Sequence, residues 1–390
     1  MNKAHMPLSE TRMHRAAREV ESRAIHFYLP SFEGGGAERF FVRLANHIAS
    51  RGIPVHLVVN NDNGPVKELL SKEVDLHVLG GRKAILCLPK LVAYLKATRA
   101  PALISALTRT NIAALIAARV ARTETRVIVC ERNQYTALLR QMDPLRRVAM
   151  NALVRKLYPK AHAVIGNTDL VTRDIAEVAG LSAEATGVIH NAAPDPAQLD
   201  DARAAPPDHP WFHDGKPTAI AIGRLMPQKD YATMLRAVAQ SGDDLRLVIL
   251  GEGPERQNLE HLARELGIED RVDFLGFRMD RFSYLVAADL FLMSSVTEGF
   301  PNALIEAVAA GIPSISTDCL GGGAREILGR EFPDRLTPIG DPAAMAKAIR
   351  MVIDAQDAAS RELQSERIAR IAKRYQMSEV ADAFLARAWE

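Results

Sequence analysis

The sequence predicts an α/β protein made of two halves, each a parallel sheet covered by helices. Short apolar segments alternate with helical segments along nearly the whole chain, which is typical of parallel sheets whose two faces are both buried. The 390 residues exceed the size of one usual domain, and 48% of them are hydrophobic, enough for two cores. The alternation stops once, between 195 and 216, and then restarts.

The first half is predicted to span residues 23–194. Its first strand is the apolar segment AIHFYLP, which ends at a proline and is followed by the glycines of GGGAE. A helix with apolar residues at helical spacing comes next, and Gly52 ends it. Strands and helices then alternate to about Asn191, and the predicted strands are IPVHLVVN, VDLHVL, ALISAL, RVIVCE, AHAVIGN and ATGVIHN.

The second half is predicted to span residues 217–373. The segment 195–216 before it is rich in proline and aspartate and lacks periodicity, so it is predicted to be a linker. The amphipathic segment 374–390 is predicted to cross back onto the first half, and the basic segment 1–22 to be a poorly ordered extension. The strands predicted in the second half are TAIAIG, LRLVILG, VDFLGF, DLFLMSS and PSISTD.

Composition excludes several classes of protein. The formal net charge is +2, so no overall field favours nucleic acid as a partner. Cys87, Cys130 and Cys319 are far apart and form no C-x-x-C pair, which argues against a disulfide framework or a zinc site and favours a reducing compartment. No apolar run is long enough to span a bilayer, and the N-terminus lacks the apolar stretch of a secretory signal.

The loop after the first predicted strand is the first candidate for a ligand site, because ligands of open parallel sheets bind beyond the carboxyl ends of the strands. Gly35 and Gly36 let the backbone pass close to a ligand, while the following helix directs free N–H groups toward it. An ordinary tight turn has the same sequence, so both interpretations stay open.

The loop after TAIAIG carries two cations. Arg224 follows Gly223 directly and Lys229 comes after the turn; a guanidinium fork and an ammonium point charge together suit a diphosphate. A solvated surface loop is the alternative. Glu252 in LGEGPERQ and Phe277 in VDFLGFRMD follow the neighbouring strands, where a base could pack, although each of these loops taken alone is a structural turn.

The segment EGFPNALIE places two carboxylates at the head of a helix. Pro301 fits the first helical position, so Glu298 is predicted in the preceding loop and Glu306 inside the helix, on the order of 10 Å away. That distance matches the span from a hexose to a ribose across a diphosphate. The N–H groups of Ala303 and Leu304 lie between the carboxylates, where phosphate is favoured. The alternative is that Glu298 caps the helix and Glu306 faces water.

Four blocks of the sequence resemble the retaining glycosyltransferases of family 4. They are GGGAE, GRLMPQKD, LVILGEGPE and SSVTEGFPNALIEAVAAGIPSIST, and they occur in the family's order. The resemblance extends from about Ala24 to the end of the chain. It implies the GT-B fold, with two Rossmann-like domains facing each other across a cleft and a C-terminal helix that crosses back to the first domain. It also implies that an α-linked nucleotide-sugar donor gives an α-linked product.

The resemblance assigns roles to individual residues. Arg224 and Lys229 would grip the diphosphate, Glu298 would contact the donor hexose, and these three are the implied catalytic residues. Glu306 would hold the ribose hydroxyls, and the Gly35-Gly36 pair would lie close to the leaving phosphate. The other donor-binding positions implied are Gly223, Glu252, Phe277, Gly299, Phe300, Pro301, Asn302, Ala303 and Leu304.

The predicted reaction uses no metal and no cofactor beyond the nucleotide sugar itself, which is a co-substrate. No D-x-D triplet occurs in the chain, so a metal bridge to the diphosphate is not indicated. The two cations would stabilise the charge that develops on the departing diphosphate instead. A front-face reaction, in which the leaving phosphate oxygen accepts the acceptor's proton, would explain why no nucleophile is evident.

The first half lacks the histidine that many family members carry near the donor hexose. Its matching region, ISALTRTNIAAL, has Arg109 and Asn111 instead, and a later ERN consists of Glu131, Arg132 and Asn133. Members that resemble this pattern act on lipid-linked or capsular saccharides, which implies that these residues meet sugar hydroxyls of donor or acceptor. For Arg109, an exposed cation at a helix start is the alternative.

Residues 140–160 combine six lysines and arginines with interleaved apolar residues. Basic amphipathic helices of this kind lie on anionic membrane surfaces, and in the resembled family such a patch docks the enzyme near a polyprenyl-linked acceptor. A core-facing helix with a solvated basic face is the alternative.

The sequence therefore predicts a retaining, metal-independent transferase that moves a hexose or N-acetylhexosamine from a UDP-sugar. The predicted acceptor is a saccharide or a polyprenyl-linked saccharide, and the product belongs to cell-surface polysaccharide or glycolipid. A mannosyltransferase using GDP-mannose and a catalytically silent sugar-nucleotide-binding protein are the alternatives. A nicotinamide dehydrogenase is excluded because GGGAER is not G-x-G-x-x-G. The predicted location is the cytoplasm, with the inner-membrane surface as a peripheral site.

Overall fold

The computed structural model divides the chain into two compact units. It describes residues 23–33, 35–140, 142–355 and 358–390, so the predicted extension 1–22 lies outside the described residues. Unit 1 comprises the described residues up to Ile189 together with Ser378–Glu390, and unit 2 comprises His190–Met377. Within the described residues, no helix combines the length and the apolar character that crossing a membrane would require.

Unit 1 contains a seven-stranded parallel sheet with the order β3-β2-β1-β4-β5-β6-β7. The strands are β1 Ile25–Leu29, β2 Val55–Val59, β3 Val74–Val78, β4 Ala102–Ala106, β5 Arg126–Glu131, β6 Ala163–Gly166 and β7 Thr186–Val188. The helices are α1 Gly36–Ser50, α2 Ala84–Thr98, α3 Thr108–Ala121, α4 Tyr135–Arg140, α5 Pro144–Leu157, α6 Asp169–Ala179 and the C-terminal α15 Met377–Trp389.

The two faces of this sheet bury different helices. The strands are apolar at nearly every position because both faces are covered, as the burial of all five residues of β1 and of β4 shows. The helices α2 to α6 pack on one face, with Leu91, Leu115 and Ile175 in the shared core. On α1, the rings of Phe40 and Phe41 lie 6.3 and 6.0 Å from the ring of Phe384 in α15. The C-terminal helix is therefore part of unit 1.

Unit 2 contains a six-stranded parallel sheet with the order β10-β9-β8-β11-β12-β13. The strands are β8 Thr218–Ile222, β9 Arg246–Leu250, β10 Val272–Gly276, β11 Leu290–Met293, β12 Ser314–Thr317 and β13 Leu336–Thr337. The helices are α7 Pro196–Ala204, α8 Tyr231–Gln240, α9 Arg256–Glu265, α10 Arg281–Ala287, α11 Asn302–Ala309, α12 Gly323–Leu328, α13 Pro342–Asp354 and α14 Ala358–Arg374.

The segment 195–216, which the sequence predicts to be a linker, belongs to unit 2 and begins with a helix. Asp195 caps α7 by accepting a hydrogen bond from the Ala197 N–H at 3.0 Å, and Pro196 occupies the first turn. Leu199 is buried in the unit 2 core. The helix is only nine residues long and buries few side chains, so its sequence shows no clear periodicity. The boundary between the units falls at 189/190 rather than at 194.

Each sheet contains one point where the strand order reverses. In unit 1, β1 pairs with β2 on one side and with β4 on the other, and in unit 2, β8 pairs with β9 and β11 in the same way. Loops at the carboxyl ends of strands beside such a point form the usual ligand site of open α/β sheets. Ligand sites are therefore expected at the loops that follow β8 and β11 in unit 2, and at those that follow β1, β4 and β5 in unit 1.

Candidate functional site

The loop after β8 holds the first predicted cation of unit 2 at the surface. Arg224 is exposed, while the next residue, Leu225, is fully buried and anchors the loop. The Tyr231 hydroxyl donates to the Gly223 carbonyl at 3.0 Å, which fixes the start of the loop from α8. The Arg224 guanidinium therefore stands on a rigid backbone at the carboxyl edge of the sheet.

Lys229 and Glu298 form an ion pair at the same edge. The Lys229 Nζ donates to Glu298 Oε1, and their side chains are 24% and 17% exposed. The Ser295 hydroxyl donates to that oxygen at 3.0 Å, and the Ser294 hydroxyl donates to the Lys229 carbonyl at 2.9 Å. The loops after β8 and β11 are thus joined through the two residues that the sequence predicts at the phosphate and at the hexose.

The helix that follows Glu298 begins at Asn302, with Pro301 as its N-cap, one residue later than predicted. In its first turn, the N–H groups of Ala303 and Leu304 point toward the positive end of the helix, where an anion is favoured. The Asn191 amide donates to the Phe300 carbonyl at 3.0 Å and to Asn302 Oδ1 at 2.5 Å, which fixes the turn before the helix. Sequence reasoning missed Asn191, because nothing local relates it to a turn more than a hundred residues away.

Glu306 lies on α11 and is buried, but it does not lack a partner. Arg281, the first residue of α10, donates from Nε to Oε2 at 3.1 Å and from Nη2 to Oε1 at 2.8 Å. The Arg281 guanidinium also lies 4.3 Å from the centre of the Phe282 ring. Sequence reasoning missed Arg281, and the pair fixes the direction of the carboxylate that the sequence predicts to hold a ribose.

The glycines after β12 support the Glu298 loop. The Glu298 N–H donates to the Leu320 carbonyl at 2.8 Å, so the loops after β11 and β12 run side by side. A Cβ on Gly321 would collide with the Glu298 carbonyl, and a Cβ on Gly323 would collide with the Gly299 carbonyl. The segment GGG at 321–323 thus allows the close approach that holds the loop in place, a role that the sequence analysis did not assign.

The two residues predicted near a base are at the surface. Glu252 is exposed, and its Oε1 accepts from Arg256 Nη1 at 2.6 Å, while Phe277 is half exposed. Gly251, in the same loop as Glu252, has a φ of 157° and lies against the Gly223 carbonyl, where a Cβ would collide. The glycines of LGEGPERQ therefore pack the loops after β8 and β9 together.

In unit 1, Asn111 and Glu131 are buried and bonded to other protein groups, and their role as sugar contacts stays a prediction. Both are buried, and Glu131 accepts hydrogen bonds from Thr108 at 3.0 Å, from Asn111 at 3.2 Å and from the Tyr158 hydroxyl. Burial raises the pKa of Glu131 to about 7, against the lowering effect of these hydrogen bonds. The sequence could not reveal on which side of the strand end these residues lie.

Arg132 is also buried, and it lies against α1. Its guanidinium carbon is 4.6 Å from the centre of the Phe40 ring and 5.2 Å from that of Phe41. None of its three guanidinium nitrogens has a hydrogen-bond partner among the described residues. By contrast, Arg109 and Asn133 are exposed at the carboxyl ends of β4 and β5.

A carboxylate lies over the first glycine at the start of α1. Gly35 is the N-cap and Gly36 the first helical residue, and the carboxylate of Glu38 lies over Gly35, where any Cβ would collide with it. A carboxylate at this position complements the positive end of the helix. On the neighbouring loop, Leu107 adopts a φ of 73°, a left-handed conformation that is strained for a leucine. That strain lies two residues before the exposed Arg109.

No group of three or more histidine, cysteine, aspartate or glutamate residues that could hold a metal ion occurs among the described residues. Positive groups at the carboxyl edge of unit 2 include Arg224, Lys229, Arg281 and the first turn of α11. This set suits an anion with several oxygens, flanked by Glu298 and Glu306, which accept hydrogen bonds from hydroxyls.

Comparison with known families gives matches to both units. Residues 34–194 match the family model described as Glycosyltransferase Family 4, and residues 208–374 match the one described as Glycosyl transferases group 1. The two matches together take in most of both units.

Two relatives align with 84% of the chain. The Campylobacter jejuni N-acetylgalactosamine-N,N'-diacetylbacillosaminyl-diphospho-undecaprenol 4-alpha-N-acetylgalactosaminyltransferase is 28% identical, with 89% of its own length covered. A lipopolysaccharide core biosynthesis glycosyltransferase of Rhizobium meliloti is 27% identical, with 88% covered.

Solved structures share the fold. The Anabaena protein HepE in complex with UDP-glucose superposes with a TM-score of 0.75 at 21% identity, over 94% of this chain and 99% of that one. A lipopolysaccharide-biosynthesis glycosyltransferase, WaaG, superposes with a TM-score of 0.69 at 17% identity, over 93% and 98%. The two parallel-sheet units, the two family matches and these structures agree, and the chain therefore belongs to the family-4-like glycosyltransferases of the GT-B fold.

Proposed function

We propose that this glycosyltransferase moves a hexose or N-acetylhexosamine from a UDP-sugar to a lipid-linked or other saccharide acceptor, with retention of the α-linkage. The observation that carries the proposal is the arrangement at the carboxyl edge of unit 2. There the Lys229–Glu298 pair, the first turn of α11 and the Arg281–Glu306 pair lie on loops and helices that hydrogen bonds hold together.

Each part of the donor would bind to a different set of these groups. The diphosphate oxygens would accept hydrogen bonds from Arg224, Lys229 and the N–H groups of Ala303 and Leu304, since all of these attract anions. The ribose hydroxyls would donate to Glu306, which Arg281 holds in a fixed direction. The hexose hydroxyls would donate to Glu298.

Donor binding would exchange partners at the Lys229–Glu298 pair. In the free protein the ammonium and the carboxylate satisfy each other. When the donor binds, its phosphate oxygens would replace Glu298 at Lys229, and its hexose hydroxyls would replace Lys229 at Glu298. Neither charged side chain would then be left without a partner, which limits the cost of removing water from both.

The proposed reaction breaks the bond between the hexose C1 and the β-phosphate oxygen and forms a bond between C1 and an acceptor oxygen on the same face. The acceptor hydroxyl would pass its proton to the leaving phosphate oxygen, and the products would be UDP and an α-glycoside. Arg224 and Lys229 would stabilise the negative charge that builds up on the diphosphate, which makes them the catalytic groups together with Glu298.

The relatives guide the choice of nucleotide and acceptor. The HepE structure holds UDP-glucose, and the Campylobacter enzyme is named for an acceptor on diphospho-undecaprenol. The Rhizobium relative is named for lipopolysaccharide core biosynthesis. We therefore propose UDP rather than GDP as the nucleotide, and a lipid-linked saccharide of the cell envelope as the acceptor.

A titration with nucleotides tests the donor site. UDP, GDP and ADP are added to the full chain and to Glu306→Gln, and the Tm is followed; we expect UDP to raise the Tm most, and the rise to be lost in the variant. The matched control is Glu265→Gln, which removes an exposed carboxylate of α9 in the same unit. Equal UDP binding by Glu306→Gln and by the parent would overturn the proposed site, and a larger response to GDP would overturn the choice of nucleotide.

We also propose that α5 docks unit 1 on an anionic membrane surface. Its Leu145 and Val148 are 84% and 67% exposed, whereas only Val154 and Leu157 are buried in the core. Arg146 and Arg147 lie between the two exposed apolar residues. Exposed apolar side chains among arginines match an anionic lipid interface, and the cytoplasmic leaflet has the negative surface potential that would attract them.

A further inference from the structure

His190 connects three parts of unit 2 beside the turn that precedes α11. It is the first residue of the unit, and its Nε2 donates to Glu326 Oε2 on α12. The imidazole nitrogen is the donor because an ionised carboxylate only accepts. The centre of the His190 ring lies 5.1 Å from that of Phe300 and 5.3 Å from that of Tyr375. The imidazole thus joins α12 to the turn through one hydrogen bond and one ring contact.

Two hydrogen bonds to Glu326 fix the rings that pack on Phe300. The Phe300 and Tyr375 rings lie 5.0 Å apart, and the Tyr375 hydroxyl donates to the Glu326 carbonyl at 3.0 Å. Glu326 therefore accepts from His190 with its carboxylate and from Tyr375 with its carbonyl. Hydrogen bonds have preferred directions, so they restrict the orientation of both rings more than apolar packing alone would.

The backbone of Phe300 is also held by its neighbours. Asn191, which follows His190, donates to the Phe300 carbonyl at 3.0 Å, so two consecutive residues contact the carbonyl and the side chain of the same residue. On α12, a Cβ at Gly323 would come within 2.7 Å of the Phe300 Cα. Phe300 is 4% exposed and lies two residues after Glu298. The position of the Glu298 side chain therefore depends on how Phe300 is held.

We propose that His190 is a positioning residue for the hexose contact of the donor site. Paired with Glu326, it holds Phe300 in place, and the turn 298–301 then directs the Glu298 carboxylate toward the sugar. That the turn contacts a hexose rests on the proposed function, whereas the effect of His190 on the turn is a property of unit 2 alone.

Hydrogen exchange measures the effect on the turn without any donor. His190→Phe keeps a ring against Phe300 and Tyr375 but removes the hydrogen bond to Glu326. We expect amides in a peptide covering 296–304 to exchange about tenfold faster or more in this variant than in the parent, because local opening of the turn becomes easier. Equal exchange of this peptide in the variant and the parent would overturn the proposal.

His209→Phe is the matched control for this measurement. His209 is another histidine of unit 2 that pairs with a carboxylate, that of Asp273 at 3.1 Å, and packs on two rings, those of Trp211 and Phe212 at 5.2 and 5.6 Å. Asp273 lies near the start of β10, so this cluster is at the amino end of the sheet. We expect His209→Phe to leave the exchange of 296–304 unchanged. Faster exchange of the peptide in both variants would show a general loosening of unit 2 and would overturn the proposal.

Kinetics test whether the turn positions the hexose rather than the nucleotide. Release of UDP, with water as the acceptor, is followed for whichever the parent uses fastest among UDP-glucose, UDP-galactose and their N-acetylated forms. We expect kcat to fall about tenfold or more in His190→Phe, since a small displacement of a reacting group is costly. The UDP affinity measured by calorimetry should stay the same, because Arg281 rather than His190 holds Glu306. An unchanged kcat, or a UDP affinity that falls as much as kcat, would overturn the proposal.

Variants of Glu326 test the same pair from its other partner, and they replace His190→Phe if that variant does not fold. Glu326→Gln keeps an oxygen that accepts from His190, whereas Glu326→Ala does not. We expect Glu326→Ala to lower kcat as much as His190→Phe, Glu326→Gln to recover most of the loss, and the double variant His190→Phe/Glu326→Ala to lose no more than either single one. Equal losses in Glu326→Gln and Glu326→Ala would overturn the proposal.

Failure of the proposed function gives a different result. The parent would then release UDP from none of these sugar nucleotides, while hydrogen exchange would still decide whether His190 holds the turn.

Discussion

Arg281 and Glu306 face each other inside unit 2 with two parallel hydrogen bonds, Nε to Oε2 at 3.1 Å and Nη2 to Oε1 at 2.8 Å. The carboxylate is buried and the guanidinium is almost so. A carboxylate held in this way cannot rotate, yet each oxygen keeps a lone pair for another donor. Arg281 is thus a positioning residue for the proposed ribose contact.

Replacing Arg281 with leucine should destabilise unit 2 strongly. The change leaves the Glu306 carboxylate buried without its bidentate partner, and breaking one side of a buried pair costs about 3 kcal/mol or more. Urea unfolding measures the loss. The double variant Arg281→Leu/Glu306→Leu should recover most of the stability but no UDP binding, since two apolar side chains replace the pair. Equal stability of Arg281→Leu and the parent would contradict this account.

Glu298→Gln should separate nucleotide binding from transfer. The variant releases Lys229 from its ion pair, so the affinity for UDP should stay the same or increase. The amide no longer offers the hexose a charged acceptor, so transfer should fall by about 100-fold. Ser295→Ala is the matched control, because it removes a second donor to the same carboxylate and leaves the ion pair in place. Transfer by Glu298→Gln at the parent's rate would exclude a role for this residue in the reaction.

Gly321→Ala should damage the donor site, whereas Gly311→Ala should not. The two glycines have similar left-handed φ angles, 99° and 89°, so alanine strains both by about 1 kcal/mol. Only at Gly321 does the added Cβ meet the Glu298 carbonyl, while no atom lies within 4 Å of the Cβ position at Gly311. The UDP affinity, measured by calorimetry, should therefore fall in Gly321→Ala alone. A similar fall in both variants would mean that the contact with Glu298 is not the cause.

Glu131 should make unit 1 less stable as the pH rises. Burial raises its pKa from 4.5 to about 7. Between these values the unfolded chain loses the proton and the folded chain keeps it, so the free energy of unfolding falls with pH; below 4.5 and above 7 the difference is constant. The total loss is about 3 kcal/mol.

Glu131→Gln tests this pH dependence, because the amide imitates the protonated carboxyl. In urea unfolding between pH 4 and pH 8 the variant should lose the downward slope that the parent shows, and it should exceed the parent in stability at the upper end. Glu177→Gln on α6, which removes an exposed carboxylate of the same unit, is the control. Parallel curves for Glu131→Gln and the parent would mean that Glu131 is ionised throughout in the folded state.

The sheets were predictable because parallel strands buried on both faces are nearly continuous apolar runs. The segment AIHFYLP contains β1, and LRLVILG contains β9, each with all of its residues buried. The strands and helices that could not be found from the sequence are short or irregular. The strand β13 has two residues, and α7 buries only Leu199 and Ala202, so neither produces a periodic pattern.

Only those residues of the candidate site that come directly after a predicted strand could be found from the sequence. Arg224, Lys229 and Glu298 stand in loops that follow predicted strands, and their position in the chain alone places them at one edge. Arg281 and Asn191 were missed because their partners lie 25 and more than a hundred residues away, and side chains at such separations show no shared period. For Glu131, the direction of the side chain depends on α3 and Tyr158, which pack against it only in the fold.

Leu145→Glu/Val148→Glu should release the protein from anionic membranes. The two side chains are the most exposed apolar ones of α5, and carboxylates at these positions both remove the apolar area and repel anionic lipid. Sedimentation with vesicles containing phosphatidylglycerol should show binding weakened by about tenfold, and added salt should weaken the parent's binding in the same direction. Leu363→Glu, at an exposed leucine of α14 in unit 2, controls for losing one apolar surface residue. Vesicles of phosphatidylcholine alone should bind little of either protein, because the arginines beside Leu145 have no anionic partner there. Equal binding of the double variant and the parent to anionic vesicles would show that α5 is not the docking surface.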